Sequence, residues 1–451
     1  MKSFVVASAI AALGAVSAEP TRSQKQPPTK RQNLPIVSAS GNAFWAGDER
    51  FYIRGIDYQP GGASANIDPL ADTDICLRDI AEFADLGVNT IRVYAVDNNS
   101  DHDECMAALA DAGIYLVLDV NNPAYSINRA DPHISYNTDY LQSVFATVEM
   151  FAQYDNTLAF FSGNEVINDE EGTDESAPYV KAVTRDMKNY MNARGLRHVP
   201  VGYSAADVSS NRMQTAHYFN CGSDDMRSDF FAFNDYSWCN SDFQTSGWDQ
   251  KVENFTNYGL PIFLSEWGCI ENRPRLFEEL SAMMSDQMSA VYSGGLMYEY
   301  SIEENEFGIV SIDGDTLDKH DEFEIFKSAL AEYPAPTGNG GAATTTHAVE
   351  CPTSDASWNV DPSYIPEMPV QAQRFMEDGA GEGPGLNGDG SQQAGDSGTA
   401  TASVSDGQPS PTGSGSGGDD DDGEGAGTSL QAPLIVSGVV ALFTLVGTLL
   451  L

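Results

Sequence analysis

Short apolar strands alternate with amphipathic helical stretches over much of this chain, and this alternation restricts its possible folds more than any other feature. Strands are predicted at 51–58, 90–94, 115–119, 160–165, 199–203, 230–236, 262–266 and 296–300. Helices are predicted at 72–86, 101–112, 138–153, 177–194, 249–258 and 273–290. Strands that are joined by helices run parallel in one sheet. Eight such strands within about 280 residues predict an α/β fold, a closed (β/α)8 TIM barrel.

Two of the predicted strands end in a glutamate. The fourth strand leads through Asn164 into Glu165, and the seventh leads through Ser265 into Glu266. A barrel places the carboxyl ends of all its strands on one face, where such enzymes carry their catalytic residues. Two carboxyl groups across a sugar ring can break a glycosidic bond, because one protonates the departing oxygen while the other attacks the sugar or activates water. The alternative is that each glutamate caps a helix or pairs with an arginine.

Both ends of the chain carry targeting patterns. Residues 1–18 join a basic start to an apolar run and end in Ser17-Ala18, which is typical of a secretory signal peptide. Residues 428–451 end in an uncharged apolar tail from Leu434, which is typical of a GPI-anchor signal that is removed. A transmembrane anchor is the alternative, but no Lys or Arg follows Leu434.

Composition divides the chain between these signals. The predicted segments are a flexible lead at 19–34, a catalytic domain at 35–333, a linker and tethered extension at 334–386, and a disordered Gly/Ser/Asp-rich stalk at 387–427. The chain has 66 acidic and 23 basic residues, a formal net charge of -43, which repels nucleic acid and phosphorylated ligands. A neutral polymer is therefore the better candidate for a ligand. No pattern of metal ligands is present in the sequence, so neither a metal nor an organic cofactor is expected.

Six cysteines in a secreted chain predict three disulfides. One pair lies in adjacent barrel helices, a second lies in neighbouring loops on the catalytic face, and elimination leaves the third, which would tie the extension to the barrel. The expected pairs are Cys76 with Cys105, Cys239 with Cys269, and Cys221 with Cys351. The sequons that begin at Asn98 and Asn254 predict two surface N-glycans.

Six ordered motifs resemble those of a known family. They are RGIDYQPG at 54–61, NTIRVY at 89–94, GNE at 163–165, SEWGC at 265–269, GGLMYEY at 294–300 and GAGEGPG at 379–385. Each motif alone is weak, but their ordered combination is specific. From about Arg54 to Leu386 the chain resembles the fungal β-1,3-glucanosyltransferases of the Gas/Gel type, glycoside hydrolase family 72. Only Cys351 lies beyond the barrel, so the resemblance is to the short subclass, which lacks the cysteine-rich carbohydrate-binding module.

The resemblance implies that Glu165 is the acid/base and Glu266 the nucleophile of a retaining reaction, with Asn164 bonded to the donor sugar. Five further residues match the family's substrate groove: Gln59, Tyr94, Asp119, Tyr236 and Tyr298. For the tyrosines the alternative is core packing, and for Asp119 it is an ion pair with Arg92 or Arg54. The segment FAFNDY at 231–236 departs from the family's pattern at Ala232 and Asp235.

The implied activity is cleavage of an internal β-1,3-glucan linkage and transfer of the new reducing end to the non-reducing end of another β-1,3-glucan, which elongates cell-wall glucan. The implied partners are donor and acceptor glucan and a GPI lipid, without nucleic acid. The implied location is the extracellular face of the plasma membrane or the cell wall. Two alternatives remain: a hydrolytic endo-β-glucanase or mannanase of the same clan, and a non-catalytic anchored wall protein that binds glucan.

Overall fold

A small antiparallel sheet precedes the barrel and closes its lower end. The computed structural model describes residues 34–392. The sheet consists of β1 (Val37–Ser40), β2 (Ala43–Ala46) and β3 (Glu49–Phe51). Phe44 of β2 is buried, and its ring lies 5.8 Å from that of Phe230 and 5.9 Å from that of Phe263. Because this sheet fills the amino-terminal end of the barrel, the carboxyl ends of the strands are left to form a site.

Eight parallel strands form the closed barrel that the alternation predicts. They are β4 (Ile53–Asp57), β5 (Thr90–Val93), β6 (Tyr115–Asp119), β7 (Thr157–Asn164), β8 (Val201–Ala206), β9 (Phe230–Asp235), β10 (Ile262–Trp267) and β11 (Tyr292–Met297). Neighbours in sequence are neighbours in space, and β11 pairs with β4 to close the barrel. Val117, Phe161 and Ala232 belong to the apolar cluster that fills its lower half. The fold prediction is confirmed.

Helices surround the barrel, and a hairpin follows it. The helices are α1 (Thr73–Leu86), α2 (Asp103–Asp111), α3 (Pro132–Ser135), α4 (Thr138–Phe151), α5 (Ala177–Ala193), α6 (Arg212–Phe219), α7 (Trp248–Phe255), α8 (Glu279–Met283), α9 (Asp286–Ser289), α10 (Asp321–Glu332) and α11 (Phe375–Asp378), with the hairpin β12 (Val310–Asp313) and β13 (Thr316–Lys319). The prediction of one helix at 273–290 is wrong. Ser285 interrupts it, because its side chain caps α9 by accepting a hydrogen bond from Met288 N.

The last barrel strand begins earlier than predicted. β11 includes two glycines that the prediction placed before a strand at 296–300. Gly294 has a φ of 88°, and a Cβ at this position would lie 2.0 Å from Ile53 O, so glycine is what lets β4 approach. Tyr298 and Glu299 therefore follow the strand and lie in the loop on the catalytic face.

Three disulfides are present, and they are the pairs that the barrel register predicts. They join Cys76 with Cys105, Cys221 with Cys351, and Cys239 with Cys269. The first links α1 to α2, and the last links the loops after β9 and β10. The bond from Cys221 to Cys351 spans 130 residues of sequence and attaches the segment beyond the barrel.

The extension beyond the barrel runs along the protein surface. Arg50 Nη1 donates to Asn339 O at 2.8 Å, so the segment predicted as a linker or crossing passes against the small sheet. Farther along, Asn137 Nδ2 at the start of α4 donates to Ser391 O at 2.8 Å. The attached part of the chain therefore continues past the predicted boundary at Leu386.

The two predicted glycosylation sites differ in exposure. Asn254 is exposed on α7, and its glycan stays a prediction. Asn98 is 4% exposed, its Nδ2 donates to Ser143 O at 3.0 Å, and its Oδ1 accepts from Gly385 N at 2.9 Å. An N-glycan would be attached at that buried Nδ2, so the prediction of a surface glycan at Asn98 is wrong for the folded protein.

Several sequence predictions lie outside residues 34–392. They are the signal peptide at 1–18, nearly all of the lead at 19–34, most of the stalk at 387–427 and the anchor signal at 428–451. Among the helices that the structure does describe, none combines the length and the apolar character that a bilayer crossing requires.

Candidate active site

Three donors hold the carboxyl group of Glu266 at the carboxyl end of β10. The hydroxyl of Tyr94 donates to Oε1 at 2.8 Å, and the hydroxyl of Tyr236 donates to Oε2 at 2.6 Å. Arg92 Nη1 donates to Oε1 at 3.1 Å. Each of these contacts favours the carboxylate over the neutral acid. The surroundings of Glu266 therefore suit a nucleophile.

Glu165 follows β7 at the same end of the barrel. Its Oε1 accepts a hydrogen bond from Asn234 Nδ2 at 2.9 Å. Its Oε2 has no hydrogen-bond partner among residues 34–392, and the side chain is partly exposed. A carboxyl group with one oxygen held by a donor and the other oxygen open can carry a transferable proton on the open oxygen.

A network of amides and hydroxyls joins the surroundings of the two glutamates. The hydroxyls of Ser204 and Ser265 lie 3.1 and 2.8 Å from Asn234 Oδ1. The hydroxyl of Ser204 also lies 2.6 Å from Asn164 Oδ1. These four residues come from the ends of β7, β8, β9 and β10. Four consecutive strands therefore fix the positions from which both carboxyl groups project.

Arg92 lies at the centre of a buried charge cluster under Glu266. Its Nε and Nη2 donate to Asp119 Oδ2 and Oδ1 at 2.8 and 3.3 Å. Burial raises the pKa of Asp57 well above its ordinary value, against the attraction of Arg92. Burial likewise raises the pKa of Glu299 to about 8. Burial therefore favours the neutral form of both acids, against the charge of Arg92 at Asp57.

The two glutamates interact electrostatically. Burial raises the pKa of Glu266 to about 7, and the charge of Glu165 contributes to this rise. Arg92 and the hydroxyls of Tyr94 and Tyr236 lower the pKa of Glu266. A carboxyl group shifts the pKa of another only when the two are close. The negative charge of Glu165 therefore opposes the ionisation of Glu266.

Aromatic rings line the site beside Glu266. The ring of Tyr298 lies 6.4 Å from that of Tyr94 and 6.2 Å from that of Tyr236, edge to face in both cases. Phe307 lies 5.3 Å from both Tyr236 and Tyr298. Because the hydroxyls of Tyr94 and Tyr236 bind Glu266, these two tyrosines belong to the site and are not merely core residues.

Two of the predicted groove residues are bound mainly to protein groups. Gln59 is 1% exposed, its Oε1 accepts from the backbone N of Tyr94 at 3.1 Å, and its Nε2 donates to Ile67 O at 2.7 Å. Asp119 is the ion-pair partner of Arg92, one of the two arginines that the sequence offers as its partner. Both side chains form the floor of the site, and their direct contact with a sugar stays a prediction.

The sequence analysis missed Asn234 and Asp57 as members of the site. The alternation of strand residues carries the signal for both. Asn234 shares the inward face of β9 with Ala232, and Asp57 shares the inward face of β4 with Ile53. The departure at Asp235 has a different role, because Lys251 Nζ donates to this carboxylate at 2.6 Å.

The protein is similar to known enzymes over most of its length. The family model described as "Glucanosyltransferase", for glycoside hydrolase family 72, matches residues 27–334. The 1,3-beta-glucanosyltransferase gel1 of Aspergillus fumigatus is 59% identical over 360 residues, which are 79% of each chain. The 1,3-beta-glucanosyltransferase GAS5 of Saccharomyces cerevisiae is 49% identical over 375 residues, which cover 82% of this chain and 77% of GAS5.

Solved structures agree with these relatives. A glutamate-to-glutamine mutant of Saccharomyces cerevisiae Gas2p, in complex with laminaritetraose and laminaripentaose, has a TM-score of 0.70 to this chain at 38% identity. The match covers 75% of this chain and 76% of Gas2p. The chain thus belongs to the glucanosyltransferases of glycoside hydrolase family 72.

Proposed function

We propose that this chain is a retaining β-1,3-glucanosyltransferase that cleaves one β-1,3-glucan internally and joins the new reducing end to the non-reducing end of another. Its relatives gel1 and GAS5 are 1,3-beta-glucanosyltransferases, and the Gas2p mutant binds laminari-oligosaccharides. The observation that carries the proposal is the polar network that connects Glu165 through Asn234 to Ser265, the residue directly before Glu266, at one end of the barrel. Elongation of cell-wall glucan follows from this reaction.

In the first half of the reaction, Glu266 is the nucleophile and Glu165 the acid. An oxygen of the Glu266 carboxylate bonds to the anomeric carbon while the bond from that carbon to the linking oxygen breaks. The proton of Glu165 passes to the departing oxygen, and the first glucan fragment leaves with it. A glycosyl ester on Glu266 remains. We expect the carboxyl groups to lie ~5–5.5 Å apart, as retaining enzymes require.

In the second half, Glu165 is the base. Its carboxylate takes the proton from the 3-hydroxyl at the non-reducing end of an acceptor glucan, and that oxygen bonds to the anomeric carbon as the ester to Glu266 breaks. Each half reverses the configuration at the anomeric carbon, so the β linkage is retained. Three side chains orient Glu266 and stabilise the negative charge that it regains when the ester breaks. They are Arg92, Tyr94 and Tyr236.

The remaining site residues suit sugar binding. Asn164 Oδ1 accepts hydrogen bonds from Ser204 and Asn234. Its Nδ2 has no hydrogen-bond partner within residues 34–392 and is available to donate to a donor sugar. Tyr298 presents an aromatic ring between Tyr94 and Tyr236, and such rings offer an apolar surface with a polar tip. A glucan that lies across this end of the barrel would contact these groups.

Hydrolysis is the alternative outcome of the same chemistry. If water replaces the acceptor in the second half of the reaction, the ester on Glu266 gives a shortened glucan. An endo-glucanase or mannanase would thus share both glutamates. Transfer requires an acceptor site that competes successfully with water, and the family's named relatives support transfer.

We further propose that the protein carries a GPI anchor and acts outside the cell, at the plasma membrane or in the wall. The apolar run in residues 1–18 and the uncharged tail from Leu434 support this location. The three disulfides are in agreement with an oxidising compartment. A phospholipase that cleaves GPI anchors should release protein held at the membrane, and a glucanase that digests the wall should release protein attached there. Retention after both treatments contradicts the proposal.

Product length tests the function most simply. A reduced laminari-oligosaccharide of defined length, incubated with the protein, should give products both shorter and longer than itself. Glu165→Gln and Glu266→Gln should each remove both sets, whereas Glu304→Gln, at an exposed acid in a loop on the same face, should leave them unchanged. Shorter products alone would identify a hydrolase. Absence of products from the unaltered protein, with binding retained, would identify a non-catalytic wall protein.

A further inference from the structure

The backbone at Glu165 has an unusual conformation. Its φ is 47°, in the left-handed region that residues other than Gly, Asn and Asp seldom adopt. Its backbone N donates to Ser204 O at 2.9 Å, so the amino side of the residue is still paired with β8. The left-handed turn directs the carbonyl group of Glu165 away from that pairing, and this carbonyl therefore needs a donor from elsewhere.

Arg129 supplies that donor. It lies in the loop between β6 and α3, and its Nη2 donates to Glu165 O at 2.8 Å. Within residues 34–392, no carboxylate lies within ion-pair distance of the Arg129 guanidinium. This is notable in a chain with 66 acids and 23 bases. The carbonyl of Glu165 is thus the hydrogen-bond partner that the structure gives to this guanidinium.

We propose that Arg129 is a positioning residue for the reaction, which fixes the left-handed turn at Glu165 and thereby aims its carboxyl group at Asn234 and the departing oxygen. The proposal rests on the acid/base role given to Glu165 above. The side chain of Glu165 has one described hydrogen bond, from Asn234 at 2.9 Å, which does not fix the backbone turn. Without Arg129, the carbonyl loses a charge-assisted bond and the turn can relax toward extended backbone. The carboxyl group would then leave its place beside Asn234.

A misplaced acid/base has a kinetic signature that a general loss of stability lacks. Proton donation matters when the leaving group is a sugar hydroxyl, and it matters little when the leaving group is dinitrophenolate. The test compares Arg129→Met with the unaltered protein on two donors. One is a laminari-oligosaccharide, and the other is a dinitrophenyl laminarioligoside, which releases dinitrophenolate. With the oligosaccharide we expect kcat/KM to fall on the order of 10- to 100-fold. With the activated donor, the rate of dinitrophenolate release in its first turnover should change less than about twofold.

Two further variants separate positioning from stability. Arg129→Lys keeps a donor of positive charge and should recover part of the loss with the oligosaccharide. Arg197→Met is the matched control, because Arg197 Nη2 donates to Tyr154 O and Thr157 O at 2.7 and 2.9 Å, at the opposite end of β7. This control should lower the melting temperature without changing the ratio of the two rates.

Glu165→Gln shows which proposal fails. If it slows both donors equally, the acid/base role of Glu165 is wrong. If Glu165→Gln is selective for the oligosaccharide and folded Arg129→Met is not, the role of Arg129 alone is wrong. A rise in KM with kcat unchanged in Arg129→Met would also overturn it, because that result identifies a substrate contact. Should Arg129→Met fail to fold, equal slowing of both donors by folded Arg129→Lys overturns the proposal.

Discussion

At the scale of single residues, the chemistry depends on how each oxygen of Glu266 is held. Tyr94 and Arg92 donate to Oε1, and Tyr236 donates to Oε2. These contacts orient the carboxylate and favour its ionised form, whereas burial favours the neutral form. The position of Glu266, the proposed nucleophile, and its charge are therefore controlled by the same three side chains.

Removal of one hydroxyl should weaken this control. In Tyr94→Phe and in Tyr236→Phe, Glu266 loses one donor, and a hydrogen bond to a charged group contributes about 1.5–3 kcal/mol. We expect kcat/KM on a laminari-oligosaccharide to fall by about 10- to 150-fold in each variant. Tyr58→Phe is the control, because it removes a bond of 2.7 Å to Asp79 at a distance from the site. Equal losses in all three variants would show that the effect is structural.

The charge of Glu165 should be measurable in the titration of Glu266. This charge raises the pKa of Glu266, which burial brings to about 7. Glu165→Gln removes the charge, so the pKa of Glu266 should fall and its carboxylate should persist to lower pH. The acid limb of the rate with a dinitrophenolate donor, which does not need Glu165 as an acid, should move to lower pH. Glu170→Gln, at an exposed acid on the same loop, should leave the limb in place. An unmoved limb in Glu165→Gln would contradict the coupling.

At the scale of elements, two irregular strands explain what the sequence could and could not predict. The pairing of β10 with β9 shifts between Leu264 and Glu266, and the pairing of β7 with β8 shifts between Phe161 and Asn164. Apolar runs that end in an acid were enough to locate both strand ends. In a strand with strict alternation, one of two successive side chains points away from the barrel interior. The register shift between Leu264 and Glu266 allows the side chains of both Ser265 and Glu266 to lie in the site. Such a shift has no signature in a single sequence.

The loop after β11 was mispredicted for a related reason. A pair of glycines reads as a turn, but Gly294 lies inside β11 because β4 approaches it closely. Glu299 consequently lies in a loop, fully buried, with Asn305 Nδ2 donating to its Oε1 at 2.8 Å. The local sequence does not reveal that the carboxyl group of Glu299 is buried and neutral.

This buried acid should make stability depend on pH. Burial raises the pKa of Glu299 from 4.5 to about 8, so its contribution to stability is complete below pH 4.5 and is lost as pH rises toward 8. Glu299→Gln does not titrate and can still accept from Asn305. The free energy of unfolding of the variant minus that of the unaltered protein should therefore grow with pH, by up to ~1.4 kcal/mol per unit. Denaturant unfolding between pH 4.5 and 8 measures this difference. A difference that stays constant with pH would contradict this prediction. For Glu304→Gln, at an exposed acid, the corresponding difference should not grow with pH.

At the scale of the whole molecule, the segment beyond the barrel is held by contacts that join distant parts of the chain. Asn98 and Gly385 are 287 residues apart and share a hydrogen bond. The cysteine pairs followed from which helices and loops adjoin in a barrel, so they were predictable. The burial of Asn98 was not, because a sequon is recognised from three neighbouring residues, whereas Asn98 is covered by Ser143 of α4 and by Gly385, both distant in sequence.

The disulfide that spans the longest separation should contribute most to stability. The bond from Cys221 to Cys351 closes 130 residues, and the bond from Cys76 to Cys105 closes 29. If disulfides act by restricting the unfolded chain, removal of the first pair by alanine should cost about 1.3 kcal/mol more than removal of the second, within typical losses of ~2–5 kcal/mol. Denaturant unfolding of the two double variants gives this difference. A larger loss from the shorter loop would contradict the model of unfolded-chain restriction.

A glycosyl ester on Glu266 is the one species that a double displacement must form at this site. A laminari-oligosaccharide donor with fluorine next to the anomeric carbon and dinitrophenolate as leaving group should trap it, because the fluorine slows both formation and breakdown of the ester while the good leaving group restores only its formation. Mass spectrometry of digested protein should find one glycosyl group, attached to the peptide that contains Glu266. Attachment to another residue, or turnover of the donor with inverted configuration and no adduct, would contradict the mechanism.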